Sequence, residues 1–393
     1  MNSLGRRSRS ECRGRKSLGI NGWRIHGKRT GVGRYLFNTV RYWDRDLVSG
    51  HFDEVNFYTP RPVDRSDIPL PDNIRERVLK PDARMLVWEN LRLGPSATDD
   101  VLFCPSFSRP LVARGRTVVT IFEATLKLYP QFFPRAHWYT VPSLYLKLYE
   151  WSGHHATLVL TCTEAGRRDL IRAYGIPAEK IRVVPLAPPE DFRPLHGDPR
   201  VAAVRRKYLG EDVPFFLYVG KMTPRRNVPM LMEAFAAFKR DTPFPHRLVV
   251  VGKNTVALDV AAHARDLSLG EDFVHCSYVS DEDLMLLYNA AEAFVLPYSY
   301  EALSLPTLEA QAIGTPVITV DTPGLREMTG GKALLMPAAE VGAIRDSLAR
   351  LASDEALRKR LSEDGLAFAR QFSWRRTSRE TLAVLEEAAR MPA

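Results

Sequence analysis

The sequence predicts an α/β protein built from two open, doubly wound parallel sheets. Three observations predict it: short apolar runs alternate with helical segments, most runs are apolar throughout, and the alternation occurs twice with a proline-rich break between. Strands that are apolar on both faces suit a parallel sheet covered on both sides, and βα alternation implies right-handed crossovers. A chain of 393 residues is also long for a single core, which favours two domains.

In the first block the strands are predicted at Leu18–Gly22, Val55–Tyr58, Val101–Cys104, Thr117–Phe122, Thr157–Leu160 and Ile181–Val184. In the second they fall at Phe215–Val219, Leu248–Val251, Phe273–Cys276, Ala293–Leu296, Pro316–Val320 and Ala333–Met336. Between them lie helices such as Asn227–Lys239, whose Val228, Leu231, Met232, Phe235 and Phe238 recur at spacings of three and four. Each block reads as a Rossmann-like domain. The boundary is Pro185-Leu-Ala-Pro-Pro-Glu-Asp-Phe-Arg-Pro194, where neither helix nor strand is favoured. The expected divisions are a basic disordered arm at 1–17, domains at 18–190 and 191–373, and a final helix at 374–393. A start codon placed too early would give the same arm.

Apolar residues make up 45% and charged residues 26%, the balance of a soluble globular protein. No run reaches the ~18 apolar residues of a membrane-spanning helix. The four cysteines, Cys12, Cys104, Cys162 and Cys276, lie far apart, which excludes a zinc ribbon or disulfide scaffold and fits a reducing cytoplasm. The net charge of +9 is uneven. Residues 1–190 hold 30 basic and 19 acidic side chains (+11), and the remainder hold 25 and 27 (−2). A basic half suits nucleic acid, an anionic membrane surface or phosphorylated ligands; without a nucleic-acid signature, the first ranks last.

In an open α/β sheet, ligands sit beyond the carboxyl ends of the strands, where backbone amides and helix N-termini attract anions. Three loops lie there. Thr30-Gly-Val-Gly-Arg34 follows the first strand, and Gly31 and Gly33 permit close backbone approach and positive φ. Tyr218-Val-Gly-Lys-Met-Thr-Pro-Arg-Arg-Asn227 sets Lys221 on a loop and Arg226 near a helix N-terminus, where a cation opposes the helix dipole unless an anion shares the site. In Ser299-Tyr-Glu-Ala-Leu-Ser-Leu-Pro-Thr-Leu-Glu309, Pro306 marks a first helical turn, so Glu301 precedes the helix and Glu309 lies within it. Two carboxylates at one mouth suit sugar and ribose hydroxyls.

With Tyr278-Val-Ser-Asp-Glu-Asp-Leu284, Gly314-Thr-Pro-Val-Ile318 and Phe372-Ser-Trp374, these loops give the chain a resemblance to the retaining glycosyltransferases of family 4, over about Leu18 to Glu386. The resemblance implies the GT-B fold: an N-terminal acceptor domain and a C-terminal donor domain facing a cleft, with the last helix crossing back. It implies that Lys221 and Arg226 hold the donor diphosphate, Glu309 the ribose, and Glu301 the transferred sugar. It brings Gly31, Gly33, Gly220 and the segment Ala302, Leu303, Ser304 and Leu305 to the donor. Phe122, Glu123 and Arg34 become acceptor-side candidates.

The chain departs from the family pattern in three places. Ala302-Leu303-Ser304 stands for Gly-Phe-Gly, so Ser304 must tolerate the φ that glycine served. Lys221 and Arg226 exchange the usual Arg and Lys. Phe122-Glu123 replaces His-Asp or His-Glu, which removes the usual histidine and keeps the acid.

Other constellations carry less. Asp44-Arg-Asp46 reads as the solvated end of an amphipathic helix, Asp281-Glu-Asp283 as a helix cap, and His154 and His155 as surface. The aromatic stretch Arg135–Trp151 reads as a core helix, with an interfacial patch as the alternative.

The expected activity is metal-independent hexosyl transfer, with no cofactor, from a UDP- or GDP-sugar to an acceptor hydroxyl with retained configuration, in polysaccharide or glycoconjugate synthesis. The acceptor is expected to be a glycan, lipid-linked or phosphorylated. The expected location is the cytoplasm, peripheral at the inner face of an anionic membrane. Rival readings are a non-catalytic nucleotide-sugar-binding protein, a sugar-nucleotide epimerase on the same fold, and a basic RNA-binding protein.

Overall fold

The computed structural model describes residues 16–27, 31–132, 142–255 and 258–392. The chain divides into two compact units, residues 1–119 with 381–393, and residues 120–380. It carries two parallel sheets. Strands β1 (Ser17–Asn21), β2 (Glu54–Thr59), β3 (Ile74–Val78), β4 (Val101–Cys104), β5 (Arg116–Thr120), β6 (Leu158–Thr161) and β7 (Ile181–Val183) lie in the order β3-β2-β1-β4-β5-β6-β7. Strands β8 (Phe215–Val219), β9 (Arg247–Val251), β10 (Phe273–Cys276), β11 (Ala293–Leu296), β12 (Val317–Val320) and β13 (Leu334–Met336) lie in the order β10-β9-β8-β11-β12-β13. Both are the doubly wound sheets the apolar runs predict.

β3 is the strand that sequence reasoning misses. Its Ile74-Arg-Glu-Arg-Val78 is charged and partly exposed because it closes the edge of the first sheet, where one side faces solvent. Central strands show the opposite pattern: every residue of β4, β9 and β11 is buried. The helix Val228–Asp241 buries Val228, Leu231, Met232, Phe235 and Phe238 against the second sheet, with Phe238 edge-on to Phe216 at 5.6 Å. Each such buried side chain contributes about 1.5–3 kcal/mol.

Three expectations change. Ser17 opens β1, and the Lys16 amide donates to Asp53 at 2.7 Å, so the last two residues of the expected arm belong to the fold; 1–15 lie outside the described residues. Asp44 does not end a helix but caps the next one, Arg45–Ser49, accepting from the Leu47 amide. The helix Pro142–His155 is not core from Leu144 to Trp151, where no side chain is buried and Leu144 is 58% exposed. Its apolar residues surround the axis and form no single stripe to bury. Residues 135–141 of that stretch lie outside the described residues.

Asp281-Glu-Asp283 opens a helix with Ser280 as its cap, as its spacing predicts. His154 and His155 are exposed. Cys104, Cys162 and Cys276 are free thiols. Among the described residues no helix is long and apolar enough to cross a membrane. In the first unit, Glu386 of the Trp374–Arg390 helix meets His51 at 2.7 Å.

Candidate functional site

The second sheet reverses its order between β8 and β11, and the loops that follow these strands build the site. The loop after β8 begins at Gly220, whose φ of +148° favours glycine. A Cβ there would lie 2.6 Å from the Tyr298 hydroxyl and 2.8 Å from Arg226. Gly252, after β9, has φ +149°, and its missing Cβ would sit 2.0 Å from the Gly220 carbonyl oxygen. Two glycines therefore set how closely this loop folds back over the sheet.

The β8 and β11 loops are fastened together. Asn227 caps the helix Val228–Asp241 in the left-handed region, and its amide donates to the Pro297 carbonyl and the Ser299 hydroxyl, each at 2.7 Å. The Ser299 amide donates to the Arg225 carbonyl at 3.0 Å. Within the same compact unit, the Thr163 hydroxyl donates to the Ala302 carbonyl at 2.9 Å. The Tyr300 hydroxyl donates to Asp169, and its ring lies 4.3 Å from that of Tyr129. The segment bearing Glu301 is thus held from several sides.

Arg226 and Glu301 meet here, and Lys221 lies on the same loop as Arg226. Lys221 is exposed, and its ammonium has no partner among the described residues. The Arg226 guanidinium stacks 4.8 Å from the Tyr298 ring centre, donates to the Lys221 carbonyl at 3.2 Å and lies 3.8 Å from Glu301. Of the buried polar side-chain atoms that find no hydrogen-bond partner among the described residues, three belong to these loops: Thr223 Oγ1, Arg226 Nε and Ser304 Oγ. Buried donors of this kind are costly unless something accepts from them.

Ser304 precedes the helix Leu305–Ile313 with ordinary extended φ (−124°), so the place of a family glycine is taken without strain. Its hydroxyl caps none of that helix's first amides. Leu305 is the first helical residue, Ala302 is buried and Leu303 half-buried. Glu309 lies within the helix and accepts from the Tyr288 hydroxyl at 3.3 Å. Glu301 precedes the helix, as the Pro306 signal predicts, and is 5% exposed. Burial pushes its carboxyl up to about 7, with Arg225 and Arg226 pulling down and Glu123 pushing up.

Sequence reasoning left one residue of this cluster out. Arg225, given no role there, donates to Glu301 Oε2 at 2.8 Å and to the Tyr300 carbonyl at 3.0 Å. Its signal was the doubled arginine at 225–226, which only a three-dimensional turn resolves into two directions. Glu123 lies 4.0 Å from Arg225 and accepts from the Thr125 hydroxyl at 2.5 Å, while Phe122 is buried.

Gly31, Gly33 and Arg34 belong to the first unit. Gly31 has φ +52° before the helix Val32–Val40, but Gly33 is a buried residue inside that helix without positive φ. The expected loop conformation therefore holds for Gly31 only, because the helix starts one residue earlier than the glycine pair suggests. Arg34 is half-buried in the first turn.

At the reversal point of the first sheet, between β1 and β4, sits a polar cluster that sequence reasoning missed. Glu89 is fully buried in an apolar run, accepting from Asn21 at 2.9 Å and from the Ser108 hydroxyl at 2.8 Å. Burial pushes its carboxyl up to about 7 against Ser108, Arg24, Asn21 and Arg109.

The family model described as Glycosyl transferases group 1 matches residues 202–367, and Glycosyltransferase Family 4 matches residues 29–187. An O-antigen chain mannosyltransferase B of Escherichia coli is 28% identical over 90% of this chain and 95% of its own. A D-inositol 3-phosphate glycosyltransferase of Saccharomonospora viridis is 32% identical over 58% of this chain and 54% of its own. Among solved structures, HepE of Anabaena in complex with UDP and glucose aligns over 95% of this chain and 99% of its own, with a TM-score of 0.72 and 16% identity. Sucrose-phosphate synthase of Thermosynechococcus elongatus aligns over 95% and 99%, with a TM-score of 0.70 and 18% identity. The fold is that of these GT-B proteins.

Proposed function

The chain belongs to the group 1, family 4 glycosyltransferases, and from that premise we propose that it moves a hexosyl group from a UDP- or GDP-sugar to an acceptor hydroxyl with retained configuration. The observation that carries this reading is the set of donor atoms on the loops after β8 and β11 that have no partner among the described residues: Thr223 Oγ1, Arg226 Nε and Ser304 Oγ, with the exposed ammonium of Lys221 on the first of these loops. Donor atoms with no acceptor among the described residues suit a diphosphate. Lys221 and Arg226 then offset the charge that develops on the leaving group, so no metal is required. Glu301 orients the sugar through its hydroxyls and Glu309 the ribose. The short Arg225–Glu301 bond occupies one carboxylate oxygen, which favours an orienting role for Glu301 over a nucleophilic one.

The acceptor is read as a glycan, lipid-linked or phosphorylated, in polysaccharide assembly, in line with the O-antigen relative. An anionic membrane surface is the proposed partner of the first unit, at the cytoplasmic face. Val87, Leu91, Leu111 and Val112 are exposed there, and the Leu111 amide donates to Asn90 at 2.8 Å, which brings the two segments together. Arg84, Arg92 and Arg114 are exposed in the same segments. Apolar side chains among arginines suit an anionic bilayer.

A panel of nucleotide sugars scored for binding and slow hydrolysis tests the reading. One sugar nucleotide should bind and turn over with chelator present. Binding without transfer or hydrolysis would favour a non-catalytic sugar-nucleotide protein, a reading motivated by Phe122 in the histidine position. Absence of any binding would sink both.

A further inference from the structure

Arg225 and Arg226 are consecutive in a tight turn, Pro224–Arg226, with about three residues per turn, so their side chains leave about 120° apart. Arg226 goes to the face of Tyr298. Arg225 goes to Glu301 and, through its other terminal nitrogen, to Glu123, with side-chain exposures of 13%, 6% and 29% for Arg225, Glu301 and Glu123. One guanidinium thus stands between two carboxylates that come from different loops. The groups facing Glu301 are Arg225 and Arg226 from the turn after β8, Glu123 from the loop after β5, Tyr298 from the loop after β11, and Tyr218 from β8 itself.

We propose that Arg225 is a positioning residue: it aims Glu301 and holds it as a carboxylate, and Glu123 sets how strongly it does so. Two physical reasons support this. A buried carboxylate needs a paired cation to remain charged, and Arg225 makes the 2.8 Å bond while Arg226 stands off at 3.8 Å. One Arg225 nitrogen also donates to both the Tyr300 carbonyl and the Glu301 carboxylate, tying the Glu301 side chain to the backbone of its own segment and fixing its direction. Glu123, 4.0 Å away, competes for the guanidinium and adds negative potential at Glu301. The loop that lost the family histidine is thereby linked to the donor carboxylate through charge.

The two partners act on Glu301 in opposite directions, which makes the test specific. Arg225→Met removes a cation, so the Glu301 carboxyl should titrate at higher pH by about one unit or more. Glu123→Gln removes an anion, so it should titrate lower. Arg225→Lys keeps the charge and should lie close to the parent while losing the fork. The direct readout is 13C NMR of glutamate-labelled full-length protein, with the Glu301 signal identified by its loss in Glu301→Gln. The kinetic readout rests on the glycosyltransferase reading. There the acid limb of the kcat profile should move up in Arg225→Met and down in Glu123→Gln. At pH 7, kcat should fall about fivefold or more in Arg225→Met and recover in Arg225→Lys. UDP or GDP affinity should stay within about twofold throughout, since a positioning role acts on the sugar and not the nucleotide. Shifts of the same sign in both variants, or no shift in Glu123→Gln, would overturn the proposal. If Arg225→Met does not fold, Glu123→Gln and Arg225→Lys still decide it. If the wild-type protein turns over no sugar nucleotide, the functional reading fails and the NMR titration still judges the coupling.

Discussion

At the scale of single residues, buried carboxylates give the sharpest expectations. Glu301→Gln should lower transfer by about 10²–10³-fold while UDP or GDP binding survives, because the proposed function assigns the nucleotide to Glu309, Lys221 and Arg226. Titration calorimetry beside an activity assay checks it; lost nucleotide affinity with retained turnover would reverse the roles. Glu89 gives a stability prediction. Its carboxyl is raised from 4.5 to about 7 by burial, so the protonated form favours the fold. That contribution is whole below about pH 4.5 and is lost as the pH rises through about 7. Glu89→Gln keeps the neutral amide against Asn21 and Ser108, so its stability should fall less than the parent's between pH 5 and pH 8, by about 3 kcal/mol at most. Denaturant melts at both pH values measure this. Glu301, also pushed up to about 7, leaves some slope in the variant.

At the scale of elements, the turn after β8 depends on glycine at two places. Gly252→Ala would set a Cβ 2.0 Å from the Gly220 carbonyl oxygen at a φ of +149°, and backbone has no rotamer with which to yield. The cost should be about 1–3 kcal/mol, with the Lys221 loop displaced. A lower Tm together with weaker UDP or GDP binding is the expected pair of results. Full affinity at a lowered Tm would show that the loop does not depend on Gly252. The same logic explains the edge strand β3: exposed on one side, it needed no apolar run and offered none to recognise.

For the whole molecule, the charge asymmetry matters. Removing residues 1–15 should leave folding and soluble donor turnover unchanged, because β1 begins at Ser17 and Lys16 is tied to Asp53. The deleted segment carries five basic side chains and one acidic one. Each net charge is worth about 1 kcal/mol at an anionic surface, and salt screens it. Sedimentation with anionic vesicles at low and high salt should show weaker binding of the shortened protein at low salt. Equal binding by both forms would remove the arm from the membrane reading.

The sequence by itself determined the two parallel sheets, since strands buried on both faces must be apolar throughout and so announce themselves. It also placed Glu301 before its helix and Glu309 within it, because Pro306 marks a first turn wherever the helix packs. It located Lys221 and Arg226 at the end of β8, where anions gather in such sheets. Tertiary structure decided the rest. Which of two adjacent arginines meets Glu301 depends on a turn that brings residues 225 and 301 together across 76 positions of sequence. That Glu89 is buried follows from Asn21 and Ser108, 68 and 19 residues away, meeting it at the ends of β1 and β4. Periodicity reports only which face of an element is apolar. It does not tell which polar group will satisfy a buried charge, because that partner is chosen by the packing of distant segments.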